Sequence, residues 1–155
     1  MNPLTSVKGS IVTAFVLAAI VSVCLSILAG SNIGADRLIG RVLHIVAGVM
    51  WIGLLYYFNV VQVPGLADAA ADKGGPGGAG ISKYIAPRAL LWFRWAAGVT
   101  WITGAYYLAF GYGSTKVLHQ AFMLEPGFRI IGVGAWLGTI MLFNVWVFIW
   151  PNQKK

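Results

Sequence analysis

Four apolar runs, over about residues 10–30, 38–63, 85–111 and 128–150, dominate the chain. A run of that length is what a helix needs to cross the ~30 Å hydrocarbon core of a bilayer. No backbone N–H or C=O can be left unpaired in lipid, so such runs have to be helical. The sequence therefore predicts an all-α fold, an integral membrane four-helix bundle forming one transmembrane domain over residues 1–155. The second span is expected to end at Pro64, the third to carry Pro87 in its first turn, and the fourth to stop at Pro151. Composition points the same way. Charged residues make up 10% of the chain, against about 25% in a soluble domain, and the mean hydropathy is +0.79. A signal peptide is the other reading of the first run, although its apolar stretch exceeds the usual apolar core of such a peptide.

The formal net charge is +7, which in a soluble protein suggests nucleic acid. Here the Lys and Arg sit mostly at the ends of the apolar runs, and retention of loops on the cytoplasmic side explains them better. Lys8, Lys73, Lys83, Arg88, Lys154 and Lys155 would share one side, and Arg37, Arg41, Lys116 and Arg129 the other. That balance predicts a multi-pass protein with both termini in the cytoplasm. The partners expected are the lipid bilayer and other membrane subunits, with no nucleic acid. The stretch 65–83 is rich in Gly and small residues and is predicted to be a flexible loop. The single cysteine, Cys24, cannot form a disulfide within the chain, and no Cys-x-x-Cys-His motif is present for covalent haem attachment.

Chemistry-bearing residues are few. There are two histidines, His44 in the second run and His119 in the last connection, and the topology puts both toward the non-cytoplasmic face. Two imidazoles at one face could be axial ligands of a b-type haem. Gly40 and Gly48 flank His44 by one turn on the same helix face, giving the clearance that a flat macrocycle needs, and Trp51 and Leu55 continue that face as apolar walls. The plainer reading is a small-residue packing seam whose histidine hydrogen-bonds a neighbouring helix, with His119 a solvated loop side chain. Arg94 falls inside the third run, where a cation costs about 2.5–3.5 kcal/mol and usually faces the bundle interior. Asn59 and Asn144 are its expected polar companions, and Arg94 could hold a haem propionate, an anionic substrate or a quinone carbonyl, unless it simply reaches the interface. The acidic residues Asp36, Asp68, Asp72 and Glu125 all lie in connections. No nucleophile triad, phosphate loop or metal-spaced His/Glu pair is visible, so no metal is expected beyond haem iron at His44. Haem b is the one cofactor predicted.

The sequence also resembles itself. Ala47-Gly48-Val49-Met50-Trp51-Ile52 matches Ala97-Gly98-Val99-Thr100-Trp101-Ile102, and Tyr56-Tyr57 matches Tyr106-Tyr107, at a constant offset of fifty residues. His44 then stands opposite Arg94. An old duplication and a shared packing demand both account for this.

Three stretches carry a family resemblance. RVLHIVAGVMWIGLLYYF (Arg41 to Phe58), LLWFRWAAGVTWITGAYYL (Leu90 to Leu108) and GTIMLFNVWVFIWPNQKK (Gly138 to Lys155) resemble, in order, the membrane-bound urate oxidase N-terminal domain family. A weaker likeness, through the His-then-Trp-Ile-Gly helix, is to the small four-helix haem-binding protoporphyrinogen oxidase family. The first resemblance implies a polytopic bacterial inner-membrane protein that feeds electrons from a substrate to the respiratory chain. It makes His44, Trp51, Arg94 and Asn144 candidate functional positions. Full members are longer in the membrane and often continue into a cytochrome c domain, neither of which stands in these 155 residues. The leading expectation is a haem b subunit in electron transfer within a larger respiratory or oxidase-type assembly. The others are a non-catalytic accessory subunit, and a small oxidoreductase acting on urate or a related heterocycle.

Overall fold

The computed structural model describes residues 6–28, 35–111 and 114–152. All regular structure among the described residues is helical, as the apolar runs predict. The chain divides into two compact units, Met1–Ile39 and Gly40–Lys155, where the sequence predicts one domain. The first unit holds α1, Val7–Leu28, opened by Ser6, whose hydroxyl accepts the Gly9 N–H at 3.0 Å and so satisfies one of the donors that a helix start leaves unpaired. Helix α2 covers residues 35–71, α3 residues 79–111, α4 Lys116–Phe122 and α5 Arg129–Asn152.

The helices run through their prolines instead of stopping at them. Pro64, Pro87 and Pro151 each lie two residues beyond a π-helical stretch, namely Tyr57–Gln62, Ile81–Ile85 and Asn144–Ile149. The residue just before each proline makes the last wide bond. Val63 N–H reaches Phe58 O, Ala86 N–H reaches Ile81 O, and Trp150 N–H reaches Val145 O. A proline ring in an α-helix collides with the carbonyl four residues back and offers it no N–H. A wide turn inserts one residue into the ladder and moves that carbonyl aside. Pro64 therefore does not end α2, which continues through the Ala-rich segment Val63–Ala71 because alanine is the best helix former. For the same reason Pro87 lies a full eight residues into α3, and Pro151 is inside α5.

The expected flexible loop 65–83 is thus mostly helix, and the connection proper is residues 72–78. Asp72 closes α2, its Oδ1 accepting the Gly74 N–H at 3.1 Å. Gly77 takes φ +70°, a conformation that costs glycine nothing.

Two buried clusters hold the second unit together. Trp51 of α2, Phe93, Ala96 and Ala97 of α3, and Val145 of α5 form one, with Leu55, Met141 and Trp146 packed on it. Leu108, Val117 and Ala121 form the other, where α4 folds over the end of α3 and the start of α5, against Phe128 and Ala135. Ala97 and Ala121 have no exposed surface at all, so backbones approach closely at both places. Outside these clusters the surface is strongly apolar. Ile130 is 93% exposed, Val49 69% and Tyr56 66%. Among the described residues two helices, Gly40–Ala71 and Arg129–Asn152, are long and apolar enough to cross a membrane.

Gly132 is the tightest contact in the second cluster, because a Cβ there would strike the carbonyl oxygen of Ala121. Backbone cannot move aside as a side chain can. Gly132→Ala is expected to cost about 1–3 kcal/mol, read as a lowered thermal midpoint of the purified protein, whereas Gly134→Ala, at an open position, should leave the midpoint close to wild type.

Candidate functional site

Helix α2 presents Arg41, His44 and Trp51 along one stripe, at the i, i+3 and i+10 spacing of a single helix face. Helix α3 answers with Thr100, Gly104 and Tyr107, again on one face. These side chains, with Phe122 of α4 and the Gly134–Gly138 stripe of α5, line a partly open cleft of about 400 Å³. That is within the ~300–1,000 Å³ range of ligand pockets.

His44 is the most defined group in the cleft. Its Nδ1 lies 2.8 Å from the backbone oxygen of Thr100. A carbonyl can only accept, so Nδ1 carries the proton and donates. The hydroxyl oxygen of Thr103 stands 3.3 Å from the same nitrogen, with its own proton directed back to its helix, 2.6 Å from Val99 O. In the neutral ring the lone pair is then on Nε2, for which no hydrogen bond is made among the described residues. An imidazole whose Nδ1–H is held by a backbone carbonyl can bind a metal through Nε2, and the same bond serves the packing of two helices. The ring lies against Gly104, where a Cβ would come within 2.9 Å of His44 Cε1, so only glycine at 104 lets it reach the Thr100 carbonyl.

Arg41 stands one turn from His44. Its Nη2 donates to the Tyr107 hydroxyl, and its guanidinium carbon is 5.0 Å from the centre of the Tyr107 ring. The hydrogen bond and the ring contact together set a cation and a phenol side by side at the cleft. The walls are aromatic. Trp101 is held by a 2.8 Å hydrogen bond from its indole N–H to Thr139 Oγ1, and Phe122 packs edge-on to Trp136, whose N–H in turn donates to Phe122 O at 2.9 Å. Trp51 is 4% exposed, and its buried N–H has no acceptor among the described residues.

The clearance expected beside His44 lies elsewhere. Gly40 is taken up by the Tyr106 ring, 3.6 Å from where its Cβ would be, and Gly48 by Thr100 Cγ2 at 3.7 Å, so both glycines serve the contact of α2 with α3. The flat open surface belongs to Gly134 and Gly138, which line the cleft one turn apart with no atom within 4 Å of either Cβ position. Their i, i+4 spacing, with Ala135 beside them, is visible in the sequence as a small-residue stripe. Thr100, Gly104 and Tyr107 carry a fainter signal, since their spacing is common to any helix face.

The polar group expected around Arg94 is dispersed. Arg94 lies over the Trp150 ring at 5.4 Å. Asn59 donates to Leu55 O of its own helix at 2.8 Å, Asn144 is exposed at the start of a π-helical stretch, and neither asparagine hydrogen-bonds Arg94 among the described residues. His119 is 68% exposed and 3.9 Å from Glu125, and it is not among the residues lining the cleft. The fifty-residue repeat extends to the site: Trp51 and Trp101 both line the cleft, and the π-helical stretches beginning at Tyr57 and Tyr107 start at equivalent tyrosines.

No family model, curated protein or solved structure matches the chain.

Gly104→Ala is expected to push the imidazole off the Thr100 carbonyl. In ¹⁵N NMR of histidine-labelled protein the wild-type ring should read as the Nδ1–H tautomer, and the variant should lose that bias.

Proposed function

We propose that this chain is a multi-pass protein of a bacterial inner membrane that binds haem b through His44 and passes electrons within a larger assembly. The observation that carries the reading is the His44 imidazole, its Nδ1 proton committed to the Thr100 carbonyl at 2.8 Å, on a residue that lines one cleft with the two open glycines Gly134 and Gly138. Haem b requires an imidazole nitrogen for iron, groups that neutralise or hydrogen-bond its propionates, and a flat apolar slot. The cleft offers all three: His44, the Arg41–Tyr107 pair, and the Gly134–Gly138 surface between aromatic walls. The residues present fit the group. Bound haem would supply one-electron chemistry, and the chain's own part is to hold and orient it. Thr100 and Thr103 steer the ring, Arg41 sets a positive charge beside the site, and Trp101 and Phe122 keep water off its walls.

The membrane setting rests on two helices of sufficient length and apolarity and on the abundance of exposed large apolar side chains, a surface that a soluble monomer rarely shows. The π-helical turns before the prolines support it too, because they keep backbone groups paired where no water can pair them. The cytoplasmic placement of both termini follows from the charge balance alone, and Lys154 and Lys155 in that balance lie outside the described residues. The likeness to the urate oxidase N-terminal domain family agrees with an electron-transfer role, since its three stretches contribute His44, Gly104 and Gly138 to one cleft. An accessory subunit without a cofactor, or an oxidoreductase acting directly on urate, would use the same bundle differently.

A reduced-minus-oxidised absorption spectrum of the detergent-purified protein tests the reading. A b-type α-band is expected, lost in His44→Ala and restored by added imidazole. Gly138→Leu, which fills the floor, should lose the band while keeping its helical circular dichroism. A folded protein with a flat spectrum would leave the accessory-subunit reading in its place.

A further inference from the structure

We infer that the hairpin joining α2 to α3 stands clear of the hydrocarbon and pairs with the same hairpin of a second copy of this chain. The inference rests on the membrane reading above. Helices α2 and α3 run antiparallel, and the contacts between them fix their levels. Arg41 meets Tyr107, His44 meets Thr100, and Phe58 packs edge-on to Phe93. Helix α5 runs beside this pair, meeting Trp101 through Thr139 and Arg94 through Trp150. On α2 the stretch between Arg41 and Asn59 holds no Asp, Glu, Lys or Arg. It is roughly 27 Å long at about 1.5 Å per residue, close to the ~30 Å of a hydrocarbon core. Every such residue between Arg41 and Arg94, namely Asp68, Asp72, Lys73, Lys83 and Arg88, lies beyond that stretch. The hairpin past Asn59 therefore projects from the bilayer by roughly 18 Å, the rise of α2 up to residue 71, on the side that the charge balance makes cytoplasmic.

The outer face of the projecting hairpin is apolar. Val60, Val61 and Val63 of α2 and Tyr84 and Ile85 of α3 are exposed, while Leu66 turns in against Gly78. Helices in water bury such faces in bundles, and two hairpins make a bundle of four. A second copy is the partner that the charges fit. Two copies in one membrane share their orientation, so a two-fold axis relating them runs along the membrane normal and brings residues of the same level together. Asp68 and Lys83 lie within about a turn of one level, on α2 and α3, counted outward from the 72–78 connection. Asp68 shares a stripe with Val61, seven residues before it, and the Lys83 ammonium lies over the exposed Tyr84 ring at 5.3 Å, so both charges border the apolar face. With α2 of one copy beside α3 of the other, Asp68 faces the second copy's Lys83, and the axis makes the pair twice.

The test is bismaleimide cross-linking in native membranes of Val61→Cys in a Cys24→Ser background. A band at twice the mass of the chain is expected. Asp68→Lys sets like charges face to face in both symmetry-related pairs and should weaken the dimer roughly tenfold, and Lys83→Asp added to it should restore the band. The absence of a dimer band, a band indifferent to both charge changes, or cross-linking only to a different protein would overturn the inference. Failure of the membrane reading looks different, because alkaline carbonate would then release the chain from the membrane fraction.

Discussion

The hydrogen bond from His44 to the Thr100 carbonyl ties together most of what the second unit does. A backbone carbonyl in mid-helix already accepts from its own ladder and has one lone pair left. For an imidazole to use it, the two helices must come close enough for a ring to lie on backbone. Glycine at 104 allows that, and Gly40 and Gly48 on α2 allow the same approach from the other side by receiving Tyr106 and Thr100. The contact commits the Nδ1 of His44 to donating into the neighbouring helix. Trp51, two turns along the same face, then falls into the buried cluster that joins α2, α3 and α5.

Close approach at one end leaves a gap at the other elements. Helix α5 carries glycines where it lines the cleft, and the short helix α4 closes over it through backbone contact at Gly132 and Ala121. Of the glycines that line the cleft, Gly104 is filled by the His44 ring, and Gly134 and Gly138 stand open. The open pair is the feature on which the haem proposal rests.

The prolines follow a different economy. Each sits behind a π-helical stretch that moves the obstructed carbonyl aside, so every long helix of the second unit continues past its proline with its backbone bonds made. The same wide turn also starts at Tyr57 and Tyr107, fifty residues apart, and the internal similarity of the sequence is thereby matched in the backbone.

The helical class was legible from apolar run length alone, because runs that long, unbroken by turn residues, exceed any strand and pair their backbone internally as helix. His44 was legible as the histidine of a small-residue seam that hydrogen-bonds a neighbouring helix, and its contact with the Thr100 carbonyl has that form. The sequence also marked Arg94, Asn59 and Asn144 as one group, but facing directions on separate helices depend on rotation about each helix axis, and a single period cannot give that. Gly40 and Gly48 were identified as clearance correctly and assigned to the wrong neighbour for the same reason. Proline was over-read as a stop, since the wide turn before it has no sequence mark beyond the proline itself. By itself the sequence determined the helices, their apolar surface and the residue types able to do chemistry. Only the tertiary structure decided that His44 meets Thr100 and Gly104, that Gly134 and Gly138 remain open, and that His119 turns to Glu125, because those contacts join residues far apart in the chain, through packing that no local pattern encodes.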